Sequence, residues 1–171
     1  MKYILKLTVI LLAITVVVAG LLGLVNHLTA ERIADNTAKK ANEAMQTVLP
    51  SPSYEKLEVS KEGITEAYQA EGGFVVRLNA NGFGGAIDLM VGVSTDGTVT
   101  GVSVISHAET ASLGAECTRE DWRSQFTGTQ GNLKVSKDGG SIDALTGATV
   151  TSRAVTEAVN RAVEFVKEVQ P

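Results

Sequence analysis

Near its C-terminus the chain carries Asp143-Ala144-Leu145-Thr146-Gly147-Ala148-Thr149, followed at once by a helical pattern from about Thr151. Gly147 is free to take positive φ, hydroxyls stand on both sides of it, and the first N–H groups of the following helix lack intrahelical partners. Such a helix start attracts anions without any basic side chain, so the stretch fits an anchor for a phosphate. The same residues also fit a tight turn with Thr149, Thr151 or Ser152 as N-cap, a common role for hydroxyls. Residue types and spacing leave both uses open.

Two further stretches lie upstream: Gly82-Phe83-Gly84-Gly85-Ala86-Ile87, and His107-Ala108-Glu109-Thr110-Ala111-Ser112-Leu113-Gly114. The glycine cluster has neither the G-x-x-x-x-G-K nor the G-x-G-x-x-G form of nucleotide loops and reads equally as a bend between strands. Cys117 is the sole cysteine, so no intrachain disulfide and no CxxC or four-cysteine metal site can form. It reads as a small packed apolar group. His27 and His107 are far apart in sequence, and their spacing gives no metal site. No Ser/His/Asp elbow and no HExxH occurs, and no residue is assigned a catalytic role.

The elements that must position these stretches can be read from hydropathy. Leu7 to Val25 is almost continuously apolar behind Lys2 and Lys6, about twenty residues, which is enough for a helix to cross a bilayer. Its length exceeds a usual signal-peptide core, so it reads as an uncleaved anchor with everything after Asn26 outside the cytoplasm. Ala34, Ala38, Ala41, Met45 and Val48 then recur at steps of four and three until Pro50, the pattern of an amphipathic helix, and Ser51-Pro52-Ser53 reads as a linker.

From about Leu57 the period becomes strand-like, over Ile64 to Ala70, Gly73 to Asn79, Ala86 to Ser94 and Val99 to Ser106. Thr95-Asp96-Gly97 reads as a hairpin turn. Thr118 is expected to open a short helix to Phe126, with Asp121 in a capping-box place and Trp122 buried, and Leu133 to Ser136 to form another strand. The last helix, Thr151 to about Glu168, presents Val155, Val159, Ala162, Val163 and Val166 on one face. The fold class is α+β, with an antiparallel sheet covered by helices. Three parts follow: an anchor over 1–26, a helix and linker over 27–53, and an extracytoplasmic domain over 54–171. With 171 residues, a net charge of −4 and no basic cluster in the soluble part, nucleic acid is set aside as a partner.

The pattern Asp, two residues, Thr or Ser, Gly, Ala, Thr resembles the recognition motif of proteins that carry FMN through a phosphoester to the last threonine, installed by a flavin transferase. Together with the upstream stretches it resembles, over nearly the whole chain, the G subunit of Rnf-type ion-translocating ferredoxin:NAD oxidoreductases and the related C subunit of sodium-translocating NADH:quinone reductases. The resemblance implies covalent FMN on Thr149, presented by Thr146, Gly147 and Ala148; Thr151 and Ser152, within one turn of the same helix start, are candidates to assist phosphate binding. Asp143 would serve transferase recognition, and Glu109, Thr110 and Leu113 would line the flavin pocket. It further implies other subunits of a membrane electron-transport complex as partners. The family usually has Pro-Gly where this chain has Ala111-Ser112, which removes a fixed φ and a residue tolerant of positive φ. Lys134 and Lys137 are further candidates for a charge near the phosphate or ring.

These expectations describe a membrane-tethered, single-flavin electron carrier of a redox-driven ion pump, acting within a complex and not as a stand-alone enzyme. Two other readings belong to different classes. One is an extracytoplasmic flavin reductase component serving external acceptors, and the other is an unmodified binding or structural module in which Thr-Gly-Ala-Thr only starts a helix.

Overall fold

The computed structural model describes residues 2–59 and 61–170; Met1, Ser60 and Pro171 lie outside the described residues. Its contacts divide the chain into two units, one ending at Lys39 and the other starting at Lys40. A single helix, α1, runs from Lys2 to Val48. In the first unit its side chains are almost all exposed, including Leu11, Leu22 and Val25, and the helix is long and apolar enough to cross a membrane. Of the expected alanine seam, Ala41, Met45 and Val48 are buried together with Ala44, whereas Ala34 and Ala38 are exposed.

The second unit is built on five strands, β1 (Tyr54–Leu57), β2 (Ile64–Ala70), β3 (Gly73–Asn81), β4 (Ala86–Ser94) and β5 (Val99–His107), paired antiparallel in sequence order. Period-two alternation sends Phe74, Val76, Leu78 and Ala80 of β3 into one core, and Val75 into another on the opposite face. The first core is closed by the helix α3 (Thr149–Val169), whose Val155, Val159, Ala162, Val163 and Val166 are all buried. The second is closed by Ala41, Ala44, Met45 and Val48 at the end of α1 together with Leu49. Val48 also accepts a hydrogen bond from the Thr100 hydroxyl through its carbonyl. The result is α+β, a meander between two helical layers.

β2 and β4 follow the periodic pattern end for end, while β3 runs two residues past Asn79 and β5 one past Ser106. The Thr95-Asp96-Gly97 turn joins β4 to β5, with Gly97 at φ 81 and its N–H donating to Ser94 O at 2.9 Å. Two expectations fail. Thr118 does not start a helix, because its hydroxyl donates to Ala115 O at 2.9 Å and closes a 3₁₀ turn over Gly114–Thr118. The short helix α2 is only Glu120–Arg123, and Asp121 pairs with Arg119 instead of forming a capping box. Nor is Leu133–Ser136 a strand. It forms one parallel bridge, Val135 to Ile142, because a 3₁₀ turn over Ser136–Asp138, ended by Gly139 at φ 80, cuts the extended run short.

Candidate functional site

α3 begins at Thr149, two residues before the sequence pattern suggested, and its N-cap is Ala148, with no side chain capping it. This corrects the expectation that Thr149, Thr151 or Ser152 is the N-cap. Ser152 is instead an interior fastener. Its buried hydroxyl accepts the Leu145 N–H at 2.9 Å and donates to Ala148 O at 3.0 Å, tying the turn to the first helical turn. Gly147 supplies the positive φ of 75 that lets the turn enter the helix. The N–H groups of Thr149, Val150 and Thr151 find no acceptor among the described residues. That leaves three donors and the positive end of a 21-residue helix at one spot.

A cavity of about 310 Å³ opens at this helix start. Its walls come from all three sequence stretches: Phe83 from the β3–β4 turn; Glu109, Thr110, Leu113 and Gly114 from the loop after β5; and Gly147 to Thr151 from the start of α3. Phe83, Leu113 and Val150 are exposed at its rim. Asp143, Thr146 and Ser152 do not line it. The Thr151 hydroxyl is buried and donates to Glu109 Oε2 at 2.9 Å, so of the two α3 hydroxyls in the wall Thr149 is the partly exposed one, and it makes no hydrogen bond among the described residues; Thr110, on the opposite loop, is exposed.

Glu109 joins the three stretches. Its Oε1 accepts the Gly84 N–H at 3.1 Å while Oε2 takes the Thr151 hydroxyl, and its own N–H donates to His107 Nδ1 at 3.2 Å. The glycines follow from this packing: a Cβ at Gly82 would overlap Oε1, one at Gly114 would overlap Oε2, and one at Gly84 would overlap the Ala108 carbonyl. The glycine cluster is thus a close-approach turn as well as a bend.

At the Ala111-Ser112 departure the chain keeps a tight turn, closed by the Leu113 N–H to Thr110 O at 3.2 Å, and Ser112 takes φ 61. A side chain in the left-handed region costs about 1–2 kcal/mol. Ser112→Gly is therefore expected to stabilise the domain by about 0.5–1 kcal/mol, net of glycine's greater freedom when unfolded, as a rise in melting temperature. An unchanged or lowered melting temperature would contradict the assigned strain.

Asp143 is held by its backbone. Its carbonyl accepts Trp122 Nε1 at 2.7 Å, its N–H donates to Gln125 Oε1 at 2.7 Å, and the residue is exposed. Trp122 is in turn packed edge-on against Phe126, with ring centroids 5.3 Å apart. Neither Lys134 nor Lys137 lines the cavity; Lys134 lies in a separate depression with Asp138 and Arg153. Arg153 is engaged by both Asp138 oxygens, at 2.7 and 2.6 Å, and this pairing holds the Asp138 carboxyl below its usual range. Cys117 is fully buried, and burial pushes its thiol up to about 11, as expected for an inert packed group.

Phe83, Gly114 and Val150 join the site without having been nominated from sequence. A signal for Phe83 existed: an aromatic side chain between glycines in a turn has little of its own chain to bury against. Val150 stands off the α3 stripe that starts at Val155.

Residues 82–164 match the family model of the FMN-binding domain, and residues 1–48 that of the RnfG N-terminal region. The G subunit of the ion-translocating oxidoreductase complex of Methanosarcina acetivorans is 34% identical, over 96% of this chain and 95% of its own. The G subunit of the proton-translocating ferredoxin:NAD(+) oxidoreductase complex of Clostridium ljungdahlii is 35% identical, over 91% of this chain and 88% of its own. Among solved structures, Shewanella oneidensis NqrC shares the fold at a TM-score of 0.50 and 22% identity, covering 70% of this chain and 67% of that one. The glycine turn, β4, β5 and most of α3 therefore lie in an FMN-binding domain. The chain as a whole belongs to the family of G subunits of ion-translocating oxidoreductase complexes.

Proposed function

We propose that this protein is the electron-transfer subunit of a membrane ion-translocating ferredoxin:NAD oxidoreductase complex and carries FMN as a phosphoester on Thr149. The observation that carries the reading is the state of Thr149: a hydroxyl in the cavity wall that, like the three N–H groups beside it, has no partner among the described residues. The residues suit both ends of FMN. Backbone donors meet a phosphate without any lysine, and Phe83, Leu113 and Val150 offer apolar contact for a ring. A volume of about 310 Å³ lies at the low end of ligand sites, roughly 300–1,000 Å³, so part of the ring stays open for electron exchange.

When bound, FMN supplies a centre that takes up and returns electrons, while the protein fixes its position and surroundings. Thr151, Glu109 and Gly84 hold the cavity walls together, and Ser152 holds the turn that presents Thr149. Asp143, with its backbone fixed by Trp122 and Gln125, offers its carboxylate to a flavin transferase during maturation. Residues 1–26 anchor the chain, 27–53 connect, and 54–171 carry the flavin outside the cytoplasm. Free FMN is expected to be scarce there, so a reversible site would lose occupancy by mass action and an ester would not.

The test is intact-mass measurement on the full chain coexpressed with a flavin transferase, together with a reporter-fusion map of its termini. The expected mass is the polypeptide plus one FMN less water, with the C-terminus extracytoplasmic. A bare polypeptide mass would refute the covalent flavin, and a cytoplasmic C-terminus would refute the topology.

A further inference from the structure

We propose that Glu109 is a positioning residue whose fixed negative charge lowers the reduction potential of the flavin; this rests on the reading of FMN at Thr149. Among the residues lining the cavity it is the sole carboxylate, and no lysine or arginine stands beside it in the wall. It is 9% exposed and forms no salt bridge among the described residues. Its two oxygens are met by neutral donors, the Gly84 N–H and the Thr151 hydroxyl, in the acceptor-only pattern of an ionised carboxylate. The wall therefore carries a negative charge that hydrogen bonds stabilise but no cation cancels.

The architecture does not itself require that charge. A glutamine at 109 would accept the Gly84 N–H through Oε1 and donate through Nε2 to the Thr151 oxygen, since a hydroxyl can accept as well as donate. Charge and brace are thus separable at this position. Reduction of the flavin takes two electrons from a reduced carrier protein and one proton from water, so the product carries one more negative charge than the oxidised form. A carboxylate in the wall opposes that gain, and it does so strongly because a largely buried charge is poorly screened.

The experiment is a spectroelectrochemical titration of the full-length flavin-bearing protein in detergent, comparing Glu109→Gln and Glu109→Asp with the unsubstituted chain. Intact mass first verifies one FMN per chain in each. Glu109→Gln is expected to shift the reduction equilibrium at least tenfold toward the reduced flavin, about 30 mV upward for a two-electron couple. Glu109→Asp, which keeps the charge, is expected to stay within threefold of the unsubstituted protein. Thr110→Lys places a positive charge in the same wall without touching Glu109 and is expected to raise the potential too, which covers the case in which Glu109→Gln fails to acquire flavin. Equal potentials in Glu109→Gln and the unsubstituted chain, an equal rise in Gln and Asp variants, or no rise in Thr110→Lys would each overturn the proposal. Absence of FMN from the unsubstituted chain would instead overturn the reading on which it rests.

Discussion

Thr149→Ala is expected to give a folded, colourless protein that acquires no covalent FMN in the presence of a flavin transferase. Four hydroxyls crowd the start of α3, and the structure separates them by what each already does. Thr151 and Ser152 are fully buried, the first donating to Glu109 and the second bonded to both Leu145 and Ala148. Thr146 is exposed but stands outside the cavity wall. Thr149 alone of the four is in the wall, partly exposed and unbonded among the described residues. It occupies the first helical position and is not the cap, so its truncation should change stability by no more than about 0.5 kcal/mol. Ser152→Ala strands the buried Leu145 N–H and should cost about 1–3 kcal/mol while keeping flavin. Stability and flavin content are thus expected to fall in different variants. In-gel flavin fluorescence with peptide mass mapping, and chemical denaturation alongside, read both. Covalent fluorescence persisting in Thr149→Ala, or an FMN mass on Thr146 or Thr151, would show that the acceptor is misassigned.

The elements that local pattern determines were legible. Ile64 to Ala70 and Ala86 to Ser94 were set off by the turn residues that flank them, although β4 is buried on both faces from Leu89 to Val93 between the helical layers. The α3 stripe appears at helical spacing because one face meets the sheet. Leu133 to Ser136 alternates as well, yet the 3₁₀ turn that begins at Ser136 ends the extended run and leaves a single parallel bridge. Thr118 failed for a similar reason: a hydroxyl able to cap a following helix also bonds backward, and the Ala115 carbonyl is within reach.

At the site, the Asp143–Thr149 stretch could be found from its own residues, but the role of Glu109 could not. Its partners Gly84 and Thr151 lie 25 and 42 residues away in sequence, and no local spacing records that meeting. The glycines around the carboxylate were visible as a turn. Their role as the space a carboxylate occupies is a tertiary fact.

That tertiary fact gives the second large effect, in Gly84→Ala. Gly84 does not have positive φ, so alanine meets no backbone strain there, and the lowered entropy of the unfolded chain alone would stabilise the protein by about 0.4–1 kcal/mol. Against this stands contact with backbone that has little room to yield. The added Cβ would overlap the Ala108 carbonyl oxygen and lie 3.0 Å from the Ala108 carbonyl carbon and from Glu109 Cα. Overpacking of this kind typically costs about 1–3 kcal/mol, more than the entropic gain, so the sign of the net effect is negative. Relief requires the β3–β4 turn to lift away from the loop after β5, which lengthens the Gly84 N–H bond to Glu109 and moves Phe83 from the cavity rim. Gly84→Ala is thus expected to melt several degrees lower and, when flavinylated, to show altered visible circular dichroism of the bound flavin. A melting temperature equal to or above that of the unsubstituted protein would mean that the turn does not rest on Ala108.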